Sequence, residues 1–186
     1  MTTQTEADLV TVITEDHRAV ERVFTELENE PRAGNRKEVT DHVIAELVRH
    51  SVAEEQYMYP AARKYLDDGD SIADHEVEEH AEAEKLMKQL ERKEPGDPEF
   101  EPLLRKLIGD IRHHIEDEEG DLLPQLRKAC SPEELHRLGE QVLAAKKIAP
   151  TRPHPAAPNK PPANLVLGPG AAFVDKIRDT LSGRPS

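Results

Sequence analysis

Residues 50–64, HSVAEEQYMYPAARK, align without a gap on residues 114–128, HIEDEEGDLLPQLRK. His50 falls on His114, Glu54 on Glu118, Glu55 on Glu119, Pro60 on Pro124 and Arg63-Lys64 on Arg127-Lys128, each pair 64 positions apart. An acid-His pair stands upstream of each copy: Asp16-His17 begins the first half and Glu79-His80 the second. His17 precedes His50 by 33 positions and His80 precedes His114 by 34. Two halves that each carry one His and one His-x3-Glu point to a duplicated helical hairpin whose halves share an interior site.

The hydrophobic spacing supports four long helices. In the first, over about residues 5–30, Ile13, His17, Val20, Phe24 and Leu27 recur at steps of three and four, one face of a helix. Pro31 and Gly34 end it. The second, over about residues 35–66, turns Val39, Val43, Leu47, His50, Glu54, Tyr57 and Ala61 inward. Pro60 lacks the donor for an intrahelical bond, so a kink or a tightened turn is expected there. Asp67, Asp68 and Gly69 break the chain. The third helix, about residues 71–93, has Ala73, Val77, His80, Met87 and Leu90 inside, with Glu76, Ala83 and Glu84 at the margin. After the loop at 95–98, Pro98 suits the first turn of a fourth helix reaching about residue 129. Leu104, Leu107, Ile111, His114, Glu118 and Leu122 form its stripe, and Pro124 repeats the feature at Pro60.

The expected fold is all-α: an up-down-up-down four-helix bundle with an added fifth helix and a Pro-rich C-terminal tail. The bundle and its site occupy residues 1–130. Ser131-Pro132-Glu133-Glu134 is a capping signature and opens an accessory helix over 131–149. Residues 150–170 read as an irregular Pro-rich linker, and 171–186 as a short amphipathic helix or tail using Phe173, Val174, Ile177 and Leu181.

Composition narrows the class. Aromatic residues make up 3% of the chain, there is no Trp and 34% of residues are charged, which suits a helical bundle with an aliphatic core. A net charge of −13 argues against a nucleic-acid phosphate surface and against anionic membranes as partners. There is no apolar run of the roughly 20 residues that a membrane span needs, and no basic-then-apolar leader at the start. The single cysteine, Cys130, has no internal partner. These features lead us to expect a cytoplasmic protein.

Of nine histidines, His17, His50, His80 and His114 lie on the inward stripes of four different helices. His42, His75 and His113 fall off the stripes, and His136 and His154 lie outside the four helices. Glu54 and Glu118 each stand four residues after an inward His and so face the same way. Two buried carboxylates among aliphatic side chains cost several kcal/mol each unless cations balance them, and the stripes carry no Lys or Arg. Four imidazoles and two potentially bridging carboxylates suit two metal ions. The nitrogen and oxygen donors fit iron, manganese or zinc, and the lack of a thiolate disfavours copper(I) and iron–sulfur clusters. Six protein ligands leave coordination positions open to a small exogenous molecule.

His17, His50-x3-Glu54, His80 and His114-x3-Glu118, set in EDHRAVERVF, HSVAEEQYMYP, EEHAEAEKLM and HIEDEEGDLLP, resemble the hemerythrin-like, or HHE cation-binding, domain over about residues 8–128. The resemblance implies a non-haem di-iron centre, oxo- or hydroxo-bridged, in the core of a four-helix bundle. It implies His17, His50, His80 and His114 as terminal ligands and Glu54 and Glu118 as bridges. The same donors also accept zinc or manganese.

The chain departs from the oxygen-carrying hemerythrins. Those have a His-x3-His pair in the third helix, whereas Glu76 stands four before His80 here. Their last carboxylate is an Asp five residues after the fourth-helix His; here Glu118 is at the fourth position and Glu119 at the fifth. Glu76 is either a seventh, oxygen-donor ligand or a solvated helix residue. Fewer imidazoles and more carboxylates favour the higher oxidation state and leave room at the metals, which points away from reversible oxygen carriage. Tyr57, three residues after Glu54, is expected to face the same interior, either as a core residue hydrogen-bonded to a ligand carboxylate or as a ligand or a proton or radical relay. Tyr59 is expected to face elsewhere.

The reading these features favour is a di-iron protein that reacts with peroxide or another small oxidant, O2 or NO, in oxidative or nitrosative stress, with catalase-like activity one form it could take. A non-enzymatic sensor or storage module for O2, NO or iron is the alternative. A scaffold acting through residues 150–170 is a third reading.

Overall fold

The structure, a computed structural model, describes residues 7–29 and 34–155. Every regular element among them is helical, as expected. α1 spans Leu9–Asn29. Asp8 caps it, its side chain accepting from the Thr11 amide at 2.9 Å. Leu9, Val12, Ile13, His17, Val20, Phe24 and Leu27 form its buried stripe.

α2 (Arg36–Ala53), a π-helical turn (Glu54–Met58) and α3 (Tyr59–Tyr65) make one continuous rod. The expectation at Pro60 is corrected here: the turn before it widens rather than tightens. The Tyr59 amide reaches back five residues to the Glu54 carbonyl, so the turn takes in one extra residue next to Pro60, which brings no donor. α4 (Gly69–Leu90) returns. Gly69 opens this helix instead of breaking the chain; a Cβ there would stand 2.0 Å from the Ala62 carbonyl oxygen, so only glycine permits the tight corner. α5 (Phe100–Asp117), a second π turn (Glu118–Leu122) and α6 (Leu123–Ala129) repeat the same rod with its widened turn. Pro98 lies just ahead of α5, not in its first turn.

α7 (Pro132–Ile148) is the fifth helix, with the Ser131 hydroxyl accepting from the Glu134 amide at 3.2 Å. It packs across α1, α2 and the first π turn, which buries α2 on more than one side. Gly139 meets the start of α1, where a Cβ would lie 2.1 Å from the Ala7 carbonyl oxygen. Residues 151–155 are irregular, as expected, but do not hang free. Lys88 donates to the Pro153 carbonyl at 3.1 Å and Arg152 pairs with Glu91 at 3.4 Å. The rest of the expected linker, to residue 170, and the tail helix expected over 171–186 lie outside the described residues.

The core comes in two parts. One contains Leu9, Ile13, Met58, Tyr59, Leu122 and Leu126 together with Leu138 and Val142 of α7. The other contains Phe24, Ile44, Leu47, Met87, Leu90, Phe100 and Leu107. Between them lies a polar layer made of the histidines and glutamates singled out by their spacing. At the far end, Arg36 holds Glu101 through two bonds of 2.6 and 2.7 Å and donates to the Leu27 carbonyl at 2.7 Å, tying three helices together.

Candidate metal centre

His17, His50, Glu54, His80, His114 and Glu118 meet in that layer, all of them buried. The carboxylates bridge it. Glu54 Oε1 lies 2.9 Å from His50 Nε2 while its Oε2 lies 3.4 Å from His80 Nε2. Glu118 Oε2 lies 3.3 Å from His17 Nε2 while its Oε1 lies 3.6 Å from His114 Nε2. One oxygen of each glutamate thus faces the His17/His50 half and the other faces the His80/His114 half.

These inward atoms fit a cation better than they fit each other. Among the described residues, His17 Nε2, His50 Nε2, both oxygens of Glu54 and Oε2 of Glu118 are buried without a hydrogen-bond partner. Orphaned buried polar atoms are rare and costly. Five of them converging, all of types that ligate metals, are the donor set of a metal site.

The outer ring nitrogens settle the tautomers. His17 Nδ1 faces Glu119 at 2.9 Å, His50 Nδ1 faces Asp16 at 3.4 Å, His80 Nδ1 faces Glu55 at 3.2 Å and His114 Nδ1 faces Glu79 at 3.0 Å. A carboxylate accepts, so in the neutral ring, the form that ligates metal, each Nδ1 carries the proton and each Nε2 turns its lone pair inward. Reading for inward stripes missed these four acids, yet each is the sequence neighbour of a central residue: Asp16-His17, Glu54-Glu55, Glu79-His80 and Glu118-Glu119. Each neighbour orients a histidine on a different helix.

Without metal, protons supply the balancing charge. Burial opposes the charge on His50, but Glu54 and Asp16 outweigh it and push its pKa up to about 10. Burial likewise opposes His80, which Glu54 and Glu55 raise to about 9. His114 is raised against its burial by Glu118 and Glu76, and Glu54 is held well below the usual carboxylate range by His50 and His80 despite its burial.

Two residues fall elsewhere than expected. Tyr57 is half-buried and packs on the apolar core. Tyr59 occupies the place expected for it: its hydroxyl donates to Glu118 Oε1 at 2.9 Å and lies 3.0 Å from His80 Nε2. The π turn explains the exchange, because five residues rather than four now separate Glu54 from the next residue on its face. Pro60 and Pro124 at matching places were the sequence signal for that turn. Glu76 is buried, which removes the solvated reading. Its Oε2 lies 2.9 Å from His114 Nδ1, off the hydrogen-bond direction that Glu79 takes, and burial raises its pKa. Its carboxylate also groups with His114 and Glu118 at ligating separations.

The profile of the Hemerythrin HHE cation binding domain matches residues 8–126. A hemerythrin-like protein of Schizosaccharomyces pombe is 32% identical over 174 residues, 93% of this chain and 86% of that protein. A DNA nickase of Nostoc is 30% identical over 135 residues, 73% of this chain but 38% of the nickase. The crystal structure of a hemerythrin HHE cation binding domain-containing protein from Mycobacterium kansasii has the same fold, with a TM-score of 0.65 at 21% identity over 75% of this chain and 85% of that one. With its two bridging carboxylates, its inward imidazoles and these relatives, the chain belongs to the hemerythrin HHE cation-binding family.

Proposed function

We propose that the buried cluster holds two iron ions and that the protein reacts with peroxide or another small oxidant, O2 or NO, in the cytoplasm. Supporting this reading is the split of each bridging glutamate between two pairs of imidazoles, which provides two adjacent positions for a cation. His17 and His50 would hold one ion, His80 and His114 the other, and Glu54 and Glu118 would span both. When bound, the irons would supply the electron transfer and the open positions that a small oxidant needs.

The chain supplies the rest. Asp16, Glu55, Glu79 and Glu119 keep the imidazoles aimed inward. Ile13, Leu122 and Leu123 line the adjoining core and keep bulk water from it. Tyr59 and Glu76 stand at the His80/His114 half. Burial and the neighbouring carboxylates hold the Tyr59 hydroxyl protonated, and burial favours a proton on Glu76. Both are placed to give and take back a proton there. The nickase's activity does not transfer, since the match covers 38% of that protein and this chain carries a net charge of −13.

Iron-loaded protein is expected to disproportionate peroxide faster than the same iron free in solution, with His114→Ala abolishing the excess. A rate equal to that of free iron rejects the reading. In that case slow decay of an O2 or NO complex without turnover would favour the sensor or storage module.

A further inference from the structure

The layer of donors is approached from two sides that the internal repeat makes comparable. On the α1/α2 side, a cavity of about 150 Å³ touches Asp16 and His50 and is bounded by Lys146 of α7. On the α4/α5 side, a cavity of about 360 Å³ touches both His80 and His114, and His75, Glu79 and His113 stand around it. The positions that correspond to His75 and Asp117 in the first half are Val12 and Ala53, buried in the core cluster that includes α7. The fifth helix therefore covers one half, and the matching positions of the other half carry an exposed imidazole and a part-exposed carboxylate.

Those groups converge. His75 Nε2 lies 3.6 Å from Glu79 Oε1 and 4.0 Å from Asp117 Oδ2, and His113 Nε2 lies 3.7 Å from the same Asp117 oxygen. Two ligands held by one ion at a tetrahedral angle, each about 2.0–2.1 Å from it, stand roughly 3.4 Å apart, so His75, Glu79 and Asp117, whose ligand atoms all lie within 4.8 Å of one another, are close to binding separation, and a rotation of the exposed His113 side chain brings it in as the fourth. Lys106 on the same rim is paired with Asp110 at 2.6 Å. Glu79 joins this cluster to the buried one, since its other oxygen accepts from His114 Nδ1 at 3.0 Å. An ordinary solvated face would also be polar. His113 and Asp117 are an ordinary i,i+4 pair of α5, but His75 reaches the same Asp117 oxygen from α4, and His75, Glu79 and His113 line a cavity that touches His80 and His114.

We propose that His75, Glu79, His113 and Asp117 form a second, solvent-facing divalent-metal site that takes up ions and passes them to the His80/His114 half of the buried centre. The surface site stands on its own geometry; the hand-off rests on the reading that the buried cluster holds metal. The donor set, two imidazoles and two carboxylates, selects iron(II), zinc or cobalt over magnesium or calcium. Two exposed imidazoles and two part-buried carboxylates bind more weakly than six buried ligands, which gives the transfer its direction.

The test uses the full chain with its buried centre filled with iron, titrated with Zn2+ by calorimetry. One further equivalent is expected, absent from His75→Ala/His113→Ala, whose melting temperature should be unchanged because both side chains are exposed. Metal-free protein is then mixed with Fe2+ without oxygen and uptake is timed against a chelator. The double variant should load at least about tenfold more slowly to the same final content. No further equivalent in the parent chain, or an equal one in the variant, rejects the site. Equal uptake rates reject the hand-off. A zinc equivalent that depends on His75 and His113 in a chain whose buried cluster takes no metal keeps the surface site and rejects the function proposed above.

Discussion

The Tyr59 hydroxyl donates to Glu118 Oε1 across the bundle at 2.9 Å, between residues 59 positions apart in the chain. Its counterpart in the repeat is Leu123, fully apolar and buried. The counterpart of Glu76 is Ile13, also buried and apolar. Both departures from two-fold symmetry add oxygen to the His80/His114 half. The cavity that touches His80 and His114 lies on the same side. The repeat builds a symmetric frame and these two substitutions polarise it.

Replacing Tyr59 with Phe keeps the ring and removes the proton donor. Peroxide turnover of the iron-loaded protein should fall by roughly 10²-fold, the usual scale for one general acid–base group. Metal content should stay the same. Tyr57→Phe should change neither; an equal loss in both variants would show that neither hydroxyl has a special place.

Asp16 orients His50 and is itself held by Lys146 of α7 at 2.5 Å. Asp16→Asn should weaken iron binding by about 10–100-fold, the range for partners of metal-bound histidines. Lys146→Met should have a smaller effect in the same direction. Competition against a chelator of known affinity measures both, and unchanged affinity in Asp16→Asn removes its orienting role.

Glu54 faces both halves, so Glu54→Gln should reduce bound iron from about two ions per chain to one or none. Chelating the metal from the parent chain should lower its melting temperature, since any ligand that binds only the folded state stabilises it. Elemental analysis and calorimetry read the two effects; a chelated protein as heat-stable as the loaded one contradicts the assignment.

The metal-free chain should lose stability as the pH rises. His50 and His80 have folded-state pKa values of about 10 and about 9, raised from 6.5. A raised value means that the folded state holds the proton more tightly, so this stabilisation is complete below pH 6.5 and disappears as the pH passes through 9 and 10. The melting temperature in chelator should drop by roughly 5–10 °C across that window. Metal displaces the same protons, so affinity should rise over the same interval and the loaded protein should show little of the drop. A metal-free melting temperature that climbs with pH contradicts the sign.

Gly69→Ala places a methyl 2.0 Å from the Ala62 carbonyl oxygen, where backbone must move. About 1–3 kcal/mol of stability should be lost, measured by urea unfolding. Gly34→Ala, with nothing within 4 Å of the added carbon, is the control and should be close to neutral.

The repeat and the three-and-four spacing were enough to place six inward donors on four helices. Side chains three or four residues apart share a helix face whatever the helix packs against, so His50 with Glu54 and His114 with Glu118 were readable before any tertiary contact was known. The capping signature at Ser131 was equally local, and the structure keeps it.

Tertiary structure decided what local spacing could not. Regular helical spacing from His50 and Glu54 pointed to Tyr57, and one widened turn gave the place to Tyr59 instead. His17 meets Glu119 from 102 positions away, a pairing that exists only because docking two helices in one register brings those faces together. The same docking let α7 bury Val12 and Ala53 while their counterparts His75 and Asp117 stayed outside. Periodicity determines which side of a helix a residue is on; the packing of helix against helix determines what that side touches.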